Sequence, residues 1–170
     1  MKLTVRQLTV CALLAALALG LSYLERMIPL GTLIPLPGIK LGLANIVTLF
    51  ALLTMGTWPA FLILLTRCLL GAVFAGNLNA LLFSLLGGVL AMTMMALLKS
   101  SVLSVYGISV AGAACHQLGQ VLAAALVLAS WTPMAYLPLL LLTALMTGGV
   151  TGTVTALLLK TVSQIFPEKI

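Results

Sequence analysis

The chain has 170 residues, of which 63% are hydrophobic and 6% charged, with a mean hydropathy of +1.31. Such values lie far outside those of soluble domains and predict an integral membrane protein. At about 20 residues per spanning helix, the length accommodates roughly six spans, so residues 1–170 are expected to form one transmembrane domain with no soluble one. The net charge of +6 does not point to nucleic acid, because the basic residues are scattered rather than gathered on one face.

The first apolar segment, residues 3–24, is long enough to span and is read as a retained helix rather than a signal-peptide core. A loop containing Pro29, Gly31, Pro35, Pro37, Gly38, Lys40 and Gly42 follows, where proline and glycine prevent a regular helix. Further helices are predicted over residues 41–55 (short for a span), 58–75, 80–98, 108–129 and 135–163. They are separated by Gly56 with Pro59, by Asn77 with Asn79, by the stretch from Lys99 to Gly107, and by the Trp131, Pro133 and Tyr136 cluster. The expected fold is therefore all-α, a bundle of six transmembrane helices. Lys2, Arg6, Lys99, Lys160 and Lys169 would then share one side, against Arg26 and Lys40 on the other. The positive-inside rule puts both termini in the cytoplasm of a cell membrane.

Arg67 stands near the middle of the third helix, in an otherwise apolar run. A charge at that depth costs roughly 2.5–3.5 kcal/mol on insertion scales and usually marks a buried pair, a cavity or a ligand. Glu25, Lys40 and Asn45 belong to the same outer half, and Asn79 lies at the outer turn. His116 and Gln120, four residues apart, share a face of the fifth helix, with Gln117 adjacent. If these faces converge they form an outward-opening pocket suited to an anionic or carbonyl-rich ligand. In the alternative, Arg67 pairs internally and His116 and Gln120 hold helices together.

Ala12, Ala16 and Gly20 form a smooth ridge on the first helix, either a contact for another protein or a packing face within the bundle. Gly87, Gly88, Gly148, Gly149 and Gly152 are expected to let helix backbones approach closely. Cys11, Cys68 and Cys115 lie in apolar segments without metal-ligand spacing and are expected to be packing thiols. Catalysis by this chain alone is not expected. Its two carboxylates, Glu25 and Glu168, cannot form an acidic magnesium-diphosphate cluster. There is no phosphate-binding Gly-rich loop ending in Lys-Ser or Lys-Thr. The single histidine cannot build a multi-histidine site. No cofactor and no metal are expected, and any energy for transport must come from a partner or a gradient.

The run from Pro37 to Asn45 (PGIKLGLAN), the run from Ser109 to Gln120 (SVAGAACHQLGQ) and the final TGGVTG run resemble the Gx transporter family, often labelled heptaprenyl diphosphate synthase component I. The six short helices, the AxxxA spacing at Ala12 and Ala16, and the Pro/Gly loop resemble the substrate-binding S components of energy-coupling factor transporters. That resemblance implies capture of a vitamin-like or anionic ligand from outside, and association with a transmembrane coupling subunit and two ATPases. It further implies that Ala12 and Ala16 contact the coupling subunit and that residues 25–40 form a lid. Two other functions stay open: a membrane partner of a polyprenyl diphosphate synthase, which would supply no metal chemistry because the chain has no aspartate, and a subunit of a flavin or quinone redox system. The last is suggested by the run from Thr147 to Thr153, faintly similar to threonine sites that carry covalent flavin, although helix packing also accounts for its glycines.

Overall fold

The computed structural model describes residues 4–27 and 40–165, and every regular element among them is helical. The helices are α1 (Val5–Arg26), α2 (Asn45–Thr54), α3 (Thr57–Ala75), α4 (Leu78–Leu98), α5 (Val105–Val127) and α6 (Leu137–Ile165), with a short 3-10 turn at Thr132–Tyr136 before α6. Local signals explain the boundaries. Thr4 and Gln7 form a reciprocal capping box at the start of α1. Gly76, in the left-handed region at φ +61°, stops α3, and Asn77 caps α4 by accepting from the Asn79 N–H at 2.8 Å. Ser104 caps α5 by accepting from the Gly107 N–H, so that helix begins three residues earlier than the sequence pattern predicts.

Five of the six helices are long and apolar enough to cross a membrane. The exception is α2, whose 10 residues extend only about 15 Å, half the thickness of a hydrocarbon core. It starts later than expected because residues 41–44 are irregular and Gly42 takes φ +86°. Although short, α2 is central: it packs against α1, α3, α4 and α6, and most of its residues are buried.

The most extensive contacts are those of α4 with α5 and of α5 with α6. They are close because glycines face the neighbouring backbone. A Cβ on Gly119 of α5 would stand 2.5 Å from the Leu86 carbonyl oxygen and 2.6 Å from the Gly87 Cα of α4, and one on Gly148 of α6 would stand 2.6 Å from the Val110 Cα of α5. Gly87, Gly88 and Gly152 also face neighbouring helices. Gly149 does not, since a Cβ there would meet nothing within 4 Å. Cys11 and Cys68 are buried and Cys115 is half-buried, all three as free thiols.

On α1 the small residues divide between two faces. Cys11, Ala15 and Ala18 are buried against the bundle, whereas Ala12, Ala16 and Gly20 are exposed. A Cβ on Gly20 would likewise meet nothing within 4 Å. Among the described residues the ridge is therefore not a packing face within the bundle.

Candidate ligand site

The polar residues of the apolar helices converge where α1 ends, α2 begins and the middles of α3 and α5 pass. Glu25, Asn45, Arg67, His116, Gln117 and Gln120 are all buried. Glu25, in the last turn of α1, accepts a hydrogen bond from the Gly42 N–H, which ties the end of α1 to the segment leading into α2. Gly42 is required there twice over. Its φ is in the left-handed region, and a Cβ would come within 2.9 Å of Asn45 Nδ2 and 3.1 Å of His116 Cδ2.

Arg67 reaches from α3 to α2, its Nη2 donating to Asn45 Oδ1 at 3.2 Å. Asn45 is the first residue of α2 rather than one turn inside it. The guanidinium packs beside Gly88 of α4, where a Cβ would lie 3.4 Å from Nη2. Its Nε is buried without a hydrogen-bond partner, as is Gln117 Oε1. Orphaned groups of this kind are rare inside proteins and each calls for an explanation. Arg67 and Lys40 both lie close enough to the Glu25 carboxylate to act on it electrostatically.

The fifth helix grips the backbone of Lys40. Gln120 Oε1 accepts from the Lys40 N–H at 3.1 Å, and Gln117 Nε2 donates to the Lys40 carbonyl at 3.4 Å. With its oxygen so engaged, Gln120 turns its amide nitrogen to His116 Nε2 at 3.2 Å. An amide nitrogen can only donate, so Nε2 is the acceptor and the ring proton belongs on Nδ1, the side facing Gly87. The Lys40 ammonium donates to Ser84 Oγ of α4 at 2.7 Å. Gln120→Leu should leave the Lys40 N–H and His116 Nε2 unsatisfied, at about 1–2 kcal/mol. A melting temperature lowered by a few degrees in detergent is the expected measurement.

Six of the seven ligand-site residues expected from the sequence are thus brought together. Asn79 is not: its side chain is exposed at the start of α4, and its part there is to offer a backbone N–H to the cap formed by Asn77. Asparagine next to a helix start is more often capping chemistry than ligand chemistry. Gln117 and Ser84 were missed as site residues. Gln117 lies about 100° around the helix from His116, but α5 is buried on most sides, so this face too is internal. Ser84 is a small hydroxyl in an apolar helix and gives no sequence signal. The expected lid falls largely on residues 28–39, which lie outside the described residues.

Of the three threonines of the TGGVTGT run, Thr151 packs between helices, while Thr147 and the exposed Thr153 bond carbonyls of their own helix. Thr151 meets Ser109 of α5, Oγ1 to Oγ at 2.6 Å, and Thr147 Oγ1 donates to the Ala144 carbonyl within α6. Among the described residues no three His, Cys, Asp or Glu side chains are grouped so as to hold a metal ion.

Fold and cluster together define a multi-pass α-helical membrane protein organised around a buried, charged polar site. Residues 14–158 match the family model described as heptaprenyl diphosphate synthase component I, and the chain belongs to that family. No curated protein and no solved structure matches it.

Proposed function

We propose that this protein is the substrate-binding component of an energy-coupling factor uptake transporter in a prokaryotic cell membrane. It captures a small anionic or amphipathic ligand from outside, and the energy comes from partner ATPases. The observation that carries this reading is the separation of two surfaces. Glu25, Asn45, Arg67, His116, Gln117 and Gln120 are buried inside the bundle, while Ala12, Ala16 and Gly20 of α1 make a smooth exposed face. An inward ligand site and an outward ridge of small residues suit a module that binds a solute and docks on a coupling subunit. Between α1 and α3, a groove of about 580 Å³ lined by Ala16, Gly20, Tyr23, Gly71 and Phe74 continues the ridge. By the positive-inside rule, Arg6, Lys99 and Lys160 mark the cytoplasmic side, so the ligand cluster lies toward the outside.

Ala12→Trp combined with Ala16→Trp should leave folding intact, because both positions are exposed. The pair should abolish copurification of a coupling subunit and two ATPases with the tagged protein, together with uptake. A tagged wild-type protein that brings down neither would remove the proposal.

The family description favours a second reading, a non-catalytic membrane partner of a heptaprenyl diphosphate synthase. With no aspartate in its sequence, the chain could offer such an enzyme only an apolar surface. Unchanged product length and rate when it is added to a separate catalytic subunit would count against this role.

A further inference from the structure

A groove between α3 and α4 lies apart from the buried cluster and shares no residue with it. It has a volume of about 520 Å³ and is lined by Thr57, Trp58 and Phe61 from the first turns of α3 and by Met92, Thr93 and Leu97 from the last turns of α4. Trp58 and Phe61 stack along one wall, with ring centroids 6.2 Å apart. Trp58, Thr93 and Leu97 are exposed. Both helices are long and apolar enough to cross a membrane, so the groove opens on lipid at one end of two spans. Met92 precedes Lys99 in the sequence by two turns, about 10 Å along α4, so the groove runs from the helix ends into the hydrocarbon.

The mouth of the groove is cationic. Lys99, exposed just after α4, donates from Nζ to Thr57 Oγ1 across the helix pair at 2.8 Å. An ammonium has three protons and a hydroxyl one, so two ammonium protons and the threonine proton are left without an acceptor among the described residues. Glu25, the one carboxylate among those residues, meets Gly42 ahead of α2, whereas Thr57 follows the other end of that helix, about 15 Å away.

Lysine and tryptophan above apolar side chains are the usual anchors at a membrane surface, and here they border one groove. Charge complementarity selects the occupant. We infer that the groove holds one anionic phospholipid, its phosphodiester accepting from Lys99 and Thr57 and one acyl chain lying against Trp58, Phe61 and Met92. A zwitterionic lipid offers the same phosphate but brings its own cation beside Lys99. One lysine near the surface favours the anionic lipid about fivefold.

Trp131→Phe leaves Trp58 as the single tryptophan, and bromine on the upper part of an acyl chain quenches an indole that it touches. The full chain carrying Trp131→Phe is reconstituted in phosphatidylcholine bilayers at constant ionic strength. Rising fractions of brominated phosphatidylglycerol or brominated phosphatidylcholine are then introduced. The brominated phosphatidylglycerol should reach half of its maximal quenching at an about fivefold lower mole fraction. Lys99→Gln should bring the two curves together, while Lys160→Gln, which removes an exposed charge from α6, should leave them apart. Thr93→Phe, which fills an exposed lining position, should reduce quenching by both lipids.

Coincident curves in the Trp131→Phe protein would mean that the groove takes whichever lipid is nearby, and would overturn the inference. Selectivity that survives Lys99→Gln, or that falls equally with Lys160→Gln, would belong to the charge of the whole surface and has the same consequence. Quenching unaltered by Thr93→Phe would put the lipid outside the groove. No quenching by either lipid would mean that no acyl chain reaches Trp58, and the proposed site would fall.

Discussion

Arg67→Ala should weaken binding of an anionic ligand by at least about 100-fold while leaving the protein inserted and folded. Both halves follow from one side chain. A charge-assisted contact between a buried guanidinium and an anion, once broken, typically costs 3–5 kcal/mol, because the remaining charge stays in a low-dielectric site. In the unliganded protein the same guanidinium is a burden. It occupies the middle of α3, it has one hydrogen bond, to Asn45, and its Nε has none. Removing it relieves an insertion cost of roughly 2.5–3.5 kcal/mol and orphans the Asn45 oxygen at about 1–3 kcal/mol, so the two nearly cancel. Ligand affinity by equilibrium dialysis and folded yield by size-exclusion chromatography separate the two effects. Loss of the folded species would instead make Arg67 a brace between α2 and α3. Arg67→Lys should rescue only part of the affinity, because the ammonium keeps the charge but not the planar donor set.

Gly119→Ala should be among the most damaging single-methyl changes available in this chain. The added carbon would stand 2.5 Å from a backbone oxygen and 2.6 Å from a backbone carbon of α4, and neither can swing aside as a flexible side chain could. The helices must separate, at about 1–3 kcal/mol. Ligand binding should fall as well, because His116 lies one turn before Gly119 and packs on Gly87 across the same seam, and His116 is held by Gln120. Gly149→Ala is the control: it is open to the surroundings, and alanine is a better helix former than glycine by about 0.8–1.0 kcal/mol. Thermal unfolding in detergent should show a melting temperature lowered by several degrees for Gly119→Ala and unchanged or raised for Gly149→Ala.

Much of the architecture was readable in the residues. Runs of apolar sequence broken by Gly56 with Pro59, Asn77 with Asn79, the stretch from Lys99 to Gly107 and the Trp131, Pro133 and Tyr136 cluster place the helices to within a few residues, because breaking and capping are local chemistry. The candidate site was legible for a related reason. A charge or amide inside a hydrocarbon-length segment is costly wherever it points, so Arg67, Asn45, His116 and Gln120 stand out before any fold is known. Asn79 stands apart from the cluster, since depth along a helix does not distinguish a cap neighbour from a lining residue.

Which way each face turns is a different matter. In a soluble protein water sorts apolar residues to the inside, but lipid is as apolar as the core, so α1 is equally greasy on both sides. Its buried Cys11, Ala15 and Ala18 look no different in sequence from its exposed Ala12, Ala16 and Gly20. The composition and order of residues settle membrane embedding, helix number and the cost of the buried charge. Packing alone brings Gln117 and Ser84 to Lys40 and the Gly42 amide to Glu25, and turns the small-residue ridge outward, because those outcomes depend on contacts between helices far apart in the chain.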